Sequence, residues 1–373
     1  MRVGIVGAGA VGLAAAWNAA RRGHAVEVFE AGPIPNPLAA SMDQHRLCRV
    51  PYGSQDGYAR LMAPAMESWE RLWDALGERL YDERGCLALH TNDGDWTERS
   101  RASLARLGLP HAVLTPAQVA ERFPVLRVED ARWGLWTQPG GVLFADSITA
   151  GFARLAAEAG AVLRPDTPAE AVGEDGSLRA GGTAFRFDAV LVAAGAWTPR
   201  LLPWTGDGQT PLRQVVVYAA PPPELAEAWA ATPILLDMGG PRGLFCAPPG
   251  QGRGLKFGVG ALNRPGEPDQ RRSPEPGEAE MVLDAWRSRL ALFEDYALTG
   301  ARVCVYAGRA DETFTAARRG RVVAITGCAG HAFKFAALLG EGLAAALEGG
   351  EAELRWMRGE AEAFDPRRLL PAA

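Results

Sequence analysis

The two ends of this chain carry a hydrophobic pattern that its middle does not share. Residues 2–6 (Arg-Val-Gly-Ile-Val) read as a short buried strand, residues 10–22 as an alanine-rich helix, and Ala25 to Phe29 as a second strand that stops at Glu30. Together they make one βαβ unit. Over 56–76, Leu61, Ala65, Trp69, Leu72, Trp73 and Leu76 fall on one stripe, which predicts a single long amphipathic helix facing the core. Another helix is predicted from Asp146 to Ala159, with Asp146 as N-cap and Gly160 as stop. Residues 161–194 read as short strands, the last of them Ala189 to Ala194. From 212 to 307 the pattern changes to β-runs (212–219, 233–237, 242–247, 254–260 and 301–307), broken by a helix at 278–292 and a Pro/Gly-rich surface loop at 264–277. A strand at 321–325 and a helix at 332–347 restore the α/β pattern. The order predicts a discontinuous α/β domain (1–80, 141–211 and 308–373) wrapped around an inserted, mostly antiparallel β domain (81–140 and 212–307).

Composition narrows the classes. At 373 residues the chain is too long for one ordinary core. Its 48% hydrophobic and 22% charged residues are ordinary globular usage, and a net charge of −5 offers no field for nucleic acid. The first strand begins at Arg2, and the longest apolar stretch, Val322 to Gly340, is interrupted by His331 and Lys334. Neither a signal peptide nor a membrane span is expected. Five scattered cysteines without a CxxC pair, and five histidines without HxH or HExxH spacing, argue against a disulfide framework and a metal site. The expectation is a cytoplasmic, metal-free monomer.

Gly7-Ala8-Gly9-Ala10-Val11-Gly12 follows the first strand and opens the first helix. Gly7 supplies the tight turn, Gly9 lets backbone approach a pyrophosphate, and Gly12 lets the helix pack on the strand. The helix N-terminus offers free N–H groups to phosphates. Glu30 can accept hydrogen bonds from ribose hydroxyls and would repel a 2′-phosphate, which disfavours NADP. This is a Rossmann-like dinucleotide site, with NAD and FAD undivided. Gly195 is a candidate second nucleotide contact.

Further motifs separate the two. Arg46-Leu47-Cys48-Arg49 with Tyr52-Gly53, Gly141-Val142-Leu143-Phe144, Gly195-Ala196-Trp197, and Cys304-Val305-Tyr306 followed by Gly330-His331-Ala332-Phe333-Lys334-Phe335 resemble the sarcosine-oxidase-like branch of the D-amino-acid-oxidase (DAO) flavoprotein family. The resemblance spans nearly the whole chain. It implies FAD, bound covalently through Cys304 by an 8α thioether. By itself a lone strand cysteine reads as an inert buried residue; the thiolate that attachment needs would be favoured by a nearby cation such as Arg302 or Arg309. Gly327 and Gly330 lead into a helix whose N-terminus can stabilise negative charge on a reduced flavin, with Phe333 at its start and Cys328 as filler. Arg46 is placed beside the flavin, with a structural ion pair as the alternative.

On the substrate side the resemblance makes Arg49 and Lys334 the pair that holds a carboxylate. Guanidinium suits bidentate capture, and a lysine among Phe333 and Phe335 is costly unless partnered. Lys256, which on pattern alone would sit on a solvated strand face, matches the lysine that promotes reaction of reduced flavin with O2. Tyr306 matches a substrate-side tyrosine. Two positions depart: a family tyrosine falls at Phe245 and a family histidine at Gly260, leaving a wider and drier pocket. The expected activity is FAD-dependent oxidation of a secondary (N-methyl or cyclic) amino acid, with O2 reduced to H2O2. The alternatives are an amino-acid dehydrogenase passing electrons to a quinone or partner protein, a flavin-binding subunit without its own amine substrate, and an NAD dehydrogenase.

Overall fold

The computed structural model describes residues 1–240, 242–365 and 369. Six strands form the first sheet, in the order Thr315–Arg319, Val322–Thr326, Ala189–Val192, Arg2–Val6, Ala25–Phe29 and Val162–Arg164. All but the first run parallel. On one face the helices Ala10–Arg21 and Ala336–Leu347 pack against each other. Their alanines and glycines allow unusual proximity, because a Cβ on Gly340 would lie 2.5 Å from the Ala14 methyl. The other face is covered by Phe29, Phe185 and Phe187, and a Cβ on Gly4 would strike the Phe187 ring at 2.6 Å.

A nine-stranded sheet makes the second body. It is antiparallel except where Ile234–Asp237 runs parallel to Cys86–His90. Trp229, Phe257, Trp286 and Leu290 fill its core. Its longest pairing joins Gln209–Ala220 to Ala297–Arg309, with Gln214 opposite Cys304 and Leu212 opposite Tyr306. A third sheet of Arg46–Arg49, Gly140–Leu143 and Tyr81–Glu83 places the Arg46 strand beside the cavity described below. This is the mixed α/β plus β class that the pattern predicts.

Several element boundaries differ from the pattern. The helix expected over 56–76 is two helices, Asp56–Arg60 and Met62–Leu76. Pro64 is the reason, since it has no N–H to continue the ladder and fits only the first turn of the second helix. The helix expected over 278–292 ends at Asp284, and Arg289 turns inward to pair with Asp237 and Asp130. Asp146 is not an N-cap. The helix begins at Ala145, and the Asp146 carboxylate accepts from the Arg253 guanidinium at 2.6 Å. The 264–277 loop is tethered through Asp269, which accepts from the Trp197 indole at 2.6 Å, and through Arg272, whose carbonyl accepts from the Val303 amide.

Candidate active site

A cavity of about 780 Å³ runs between the two large sheets. Ligand pockets typically span about 300–1,000 Å³. Gly7 has φ +101°, and a Cβ there would lie 2.6 Å from the Ala193 carbonyl oxygen. Gly9 lines the cavity. Gly12 does not, because a Cβ there would meet the Gly7 carbonyl at 2.0 Å, so its role is helix packing. The Glu30 carboxylate at the wall accepts from the amides of Ala8 (2.7 Å) and Ala31 (2.8 Å) and from the Asn36 side chain (2.8 Å). Gly195 and Trp197 lie on the same wall.

Farther along, Cys304 lines the cavity with its sulfur 3.5 Å from the Arg46 guanidinium. The cation beside the thiol is thus Arg46. Arg302 donates to the Pro37 carbonyl, and Arg309 pairs with Asp311. Arg46 also pairs with Asp43, which in addition accepts from Lys256 Nζ at 2.6 Å and from the Tyr218 hydroxyl. Lys256 is 2% exposed, so the solvated-face reading of its strand does not hold, and it also donates to the His45 carbonyl at 2.9 Å. Burial alone would raise the Asp43 carboxyl. Lys256 and Arg46 override it and hold the group far below the usual carboxylate range. Burial lowers Lys256 while Asp43 opposes the shift, and burial with Lys256 lowers His45 to about 3.

Gly330 and Phe333 also line the cavity, whereas Gly327 lies behind it, where a Cβ would crowd Arg309 at 2.9 Å. Gly327, Ala329 and Gly330 all have positive φ, and the last two stand at the wall. A short 3₁₀ turn, Phe333–Phe335, precedes the helix, which starts at Ala336 instead of 332.

Elsewhere on the cavity wall, Arg49 lies 4.4 Å over the Tyr52 ring and 5.0 Å over Trp96, and donates to the Pro51 carbonyl. Lys334 Nζ donates to the Tyr52 hydroxyl and the His331 carbonyl, each at 3.0 Å, and neither partner is an anion. Burial first, and Arg49 second, push Lys334 well below its ordinary value. The Trp69 indole donates to the Lys334 carbonyl at 2.7 Å and holds that backbone in place. Tyr306 lines the cavity and accepts from Asn263 at 3.0 Å. Phe245, Gly260, Leu236 and Met238 give the wall its apolar part.

The sequence reading missed Asp43, Tyr218, His45 and Asn263, and it quoted Tyr52 within a motif without giving it a role. One signal was in plain view. Lys256 and Lys334 are the two lysines among 39 lysine and arginine residues, and both are buried at this cavity. Among the described residues no cluster of His, Cys, Asp and Glu can hold a metal, and no helix is long and apolar enough to cross a membrane.

The family described as FAD dependent oxidoreductase (DAO) matches residues 2–346. This chain belongs to that family. N-methyl-L-tryptophan oxidase from Yersinia pestis is 27% identical over 353 residues, covering 90% of this chain and 92% of that protein. In fold, the chain resembles L-proline dehydrogenase from P. horikoshii (TM-score 0.83, 19% identity, 96% of each chain) and glycine oxidase from Bacillus cereus (TM-score 0.78, 19% identity, 97% of each chain). The chain is therefore an FAD-dependent oxidoreductase of the DAO type, and the motif resemblance is borne out. The wall fits FAD, with a Cβ-free turn at Gly7 and Gly9 for the diphosphate, Glu30 for a ribose, and an apolar-to-cationic remainder for a ring.

Proposed function

We propose that this DAO-family enzyme oxidises a secondary amino acid, N-methylated or cyclic, at its C–N bond. The observation that carries the reading is the pair of basic side chains on the cavity wall, half-buried Arg49 and buried Lys334, neither with a hydrogen-bonded carboxylate among the described residues. Such a pair lacks an anion, and a substrate carboxylate supplies one. Phe245, Leu236 and Met238 favour an apolar substituent, each Å² buried contributing about 25 cal/mol. The N-methyl-L-tryptophan oxidase relative supports the same substrate class.

FAD, when bound, accepts the two electrons. Arg49 and Lys334 orient the carboxylate, and the apolar wall excludes water from the reacting C–N bond. The product imine then takes up water to give an amine and an aldehyde or keto product. In this reading segments 1–80, 141–211 and 308–373 hold the cofactor, while 81–140 and 212–307 shape the substrate side; residues 366–368 and 370–373 lie outside the described residues.

Cys304, facing the cavity beside Arg46, is assigned as the covalent attachment point. A thioether there would tie the flavin to the strand that carries Cys304, and its formation would need a two-electron oxidant such as O2. Lys256 is the cation assigned to oxygen reduction, and O2 is the acceptor proposed. A second reading, transfer to a quinone or partner protein, is favoured by one observation: Asp43 partly neutralises Lys256. Anaerobic mixing with N-methyl aromatic and cyclic amino acids should bleach the flavin, and admission of air should restore it with one H2O2 per substrate. Bleaching that air does not reverse would move the assignment to the dehydrogenase. No bleaching by any amine would end both.

A further inference from the structure

We propose that Lys334 stands as a neutral amine in the ligand-free site and takes the proton that the substrate ammonium must lose, becoming the cation that holds the substrate carboxylate. This rests on the secondary-amino-acid reading above. The geometry of the hydrogen bonds carries it. His331 Nε2 lies 2.8 Å from the Glu312 carbonyl, which only accepts, so that nitrogen bears the proton. Burial keeps the ring neutral, and its Nδ1, 3.1 Å from the Tyr52 hydroxyl, therefore accepts from Tyr52. The Tyr52 oxygen is then free to accept from Lys334. Lys334 accordingly faces two acceptors, Tyr52 Oη and the His331 carbonyl. A neutral amine has two N–H groups, and both are engaged. What remains is a lone pair on a residue of the cavity wall.

The surroundings agree. Arg49, from the neighbouring strand, is a permanent cation that disfavours a second charge, and it cannot itself accept a proton. Glu312, Cys48 and Cys86 also face the amine, and Tyr52 and His331 touch it; none of them is a carboxylate within hydrogen-bond range. Lys256 shows the opposite arrangement, with Asp43 at 2.6 Å. The transfer balances: one N–H bond of the substrate ammonium breaks, one N–H bond of Lys334 forms, and no proton enters from solvent. Amine oxidation requires the neutral amine and carboxylate binding requires the cation, so a single proton shift supplies both.

The test uses holoenzyme labelled with ¹³C at lysine Cε, whose two lysines yield two resonances, assigned with Lys334→Arg. In the ligand-free state the Lys334 resonance should titrate well below the ordinary lysine range, while that of Lys256 stays charged. Binding of 3-phenylpropionate, a carboxylate without an amine, near pH 8 should convert Lys334 to its charged shift with uptake of about one proton per site. An N-methyl amino acid added to pre-reduced enzyme should give the same shift without net uptake. In Lys334→Arg, flavin reduction should rise about tenfold per pH unit up to the ammonium pKa of the free substrate, because arginine accepts no proton. A Lys334 resonance charged across the whole range, or a Lys334→Arg profile matching that of the unaltered enzyme, would overturn the proposal. If amines bleach the flavin while Lys334 stays charged, the amino-acid reading stands and only the proton transfer fails. If none bleaches it, that reading falls and takes the transfer with it.

Discussion

Lys256 and Lys334 are 2% and 4% exposed, yet among the described residues only Lys256 has a carboxylate within hydrogen-bond range. Around Lys256, one Asp is shared by an ammonium, a guanidinium and a phenol. Around Lys334 there are the Arg49 guanidinium and neutral oxygens. Burial acts alike on both amines, so the difference in partners decides their chemistry. The Asp43 cluster fixes a permanent charge as part of the folded protein. The Lys334 cluster leaves a charge incomplete until a ligand arrives, and stability is given up for binding. The rest of the chain uses arginine, which cannot make that exchange.

The largest expected effect breaks the first cluster. Asp43→Asn leaves buried Lys256 and half-buried Arg46 without their shared anion and should cost about 3–5 kcal/mol of stability, read from chemical denaturation. Adding Lys256→Met should recover much of that loss, and a double-mutant cycle measures the coupling. Acid should also attack this region. His45 is held neutral in the fold with a pKa of about 3, against an ordinary value near 6.5, so the unfolded chain binds the proton more readily between those values. Stability present above pH 6.5 is therefore lost as pH falls toward 3, by an amount on the order of a few kcal/mol, and His45→Gln should flatten that slope.

Lys334→Met should behave in the opposite way to Asp43→Asn. Removing an amine without an anionic partner should leave the melting temperature level or higher, while carboxylate affinity drops by about 1.5–3 kcal/mol in a binding titration. Equal losses of stability at both positions would erase the contrast. The smallest effect on stability is expected at Cys304→Ala, within about 1 kcal/mol, with bound FAD becoming extractable by acid. Flavin retained in the acid pellet would remove Cys304 as the attachment point.

What the sequence disclosed follows the range of each interaction. Gly7, Gly9, Gly12 and Glu30 were legible because one βαβ unit contains the whole argument. Asp43 was not, since it sits in a polar loop and meets Lys256 only through pairings 213 residues apart. Arg46 as the neighbour of Cys304, in place of Arg302 or Arg309, likewise arises from contact between distant segments. The break at Leu61 was local and readable: Pro64 signals it, but the stripe of apolar residues overrode that signal. Lys334 lay between these cases, because its apolar neighbours indicated burial and nothing in the chain indicated that no acid would reach it.

The seam where Ala14 meets Gly340 joins the two ends of this cavity mechanically. One helix begins at the Gly7–Gly9 turn and the other follows Lys334, and they touch with no room for a methyl group. A wedge as small as Gly340→Ala must pry both helices, so a change remote from the cavity would shift the glycine turn at one end of it and Lys334 at the other in one movement.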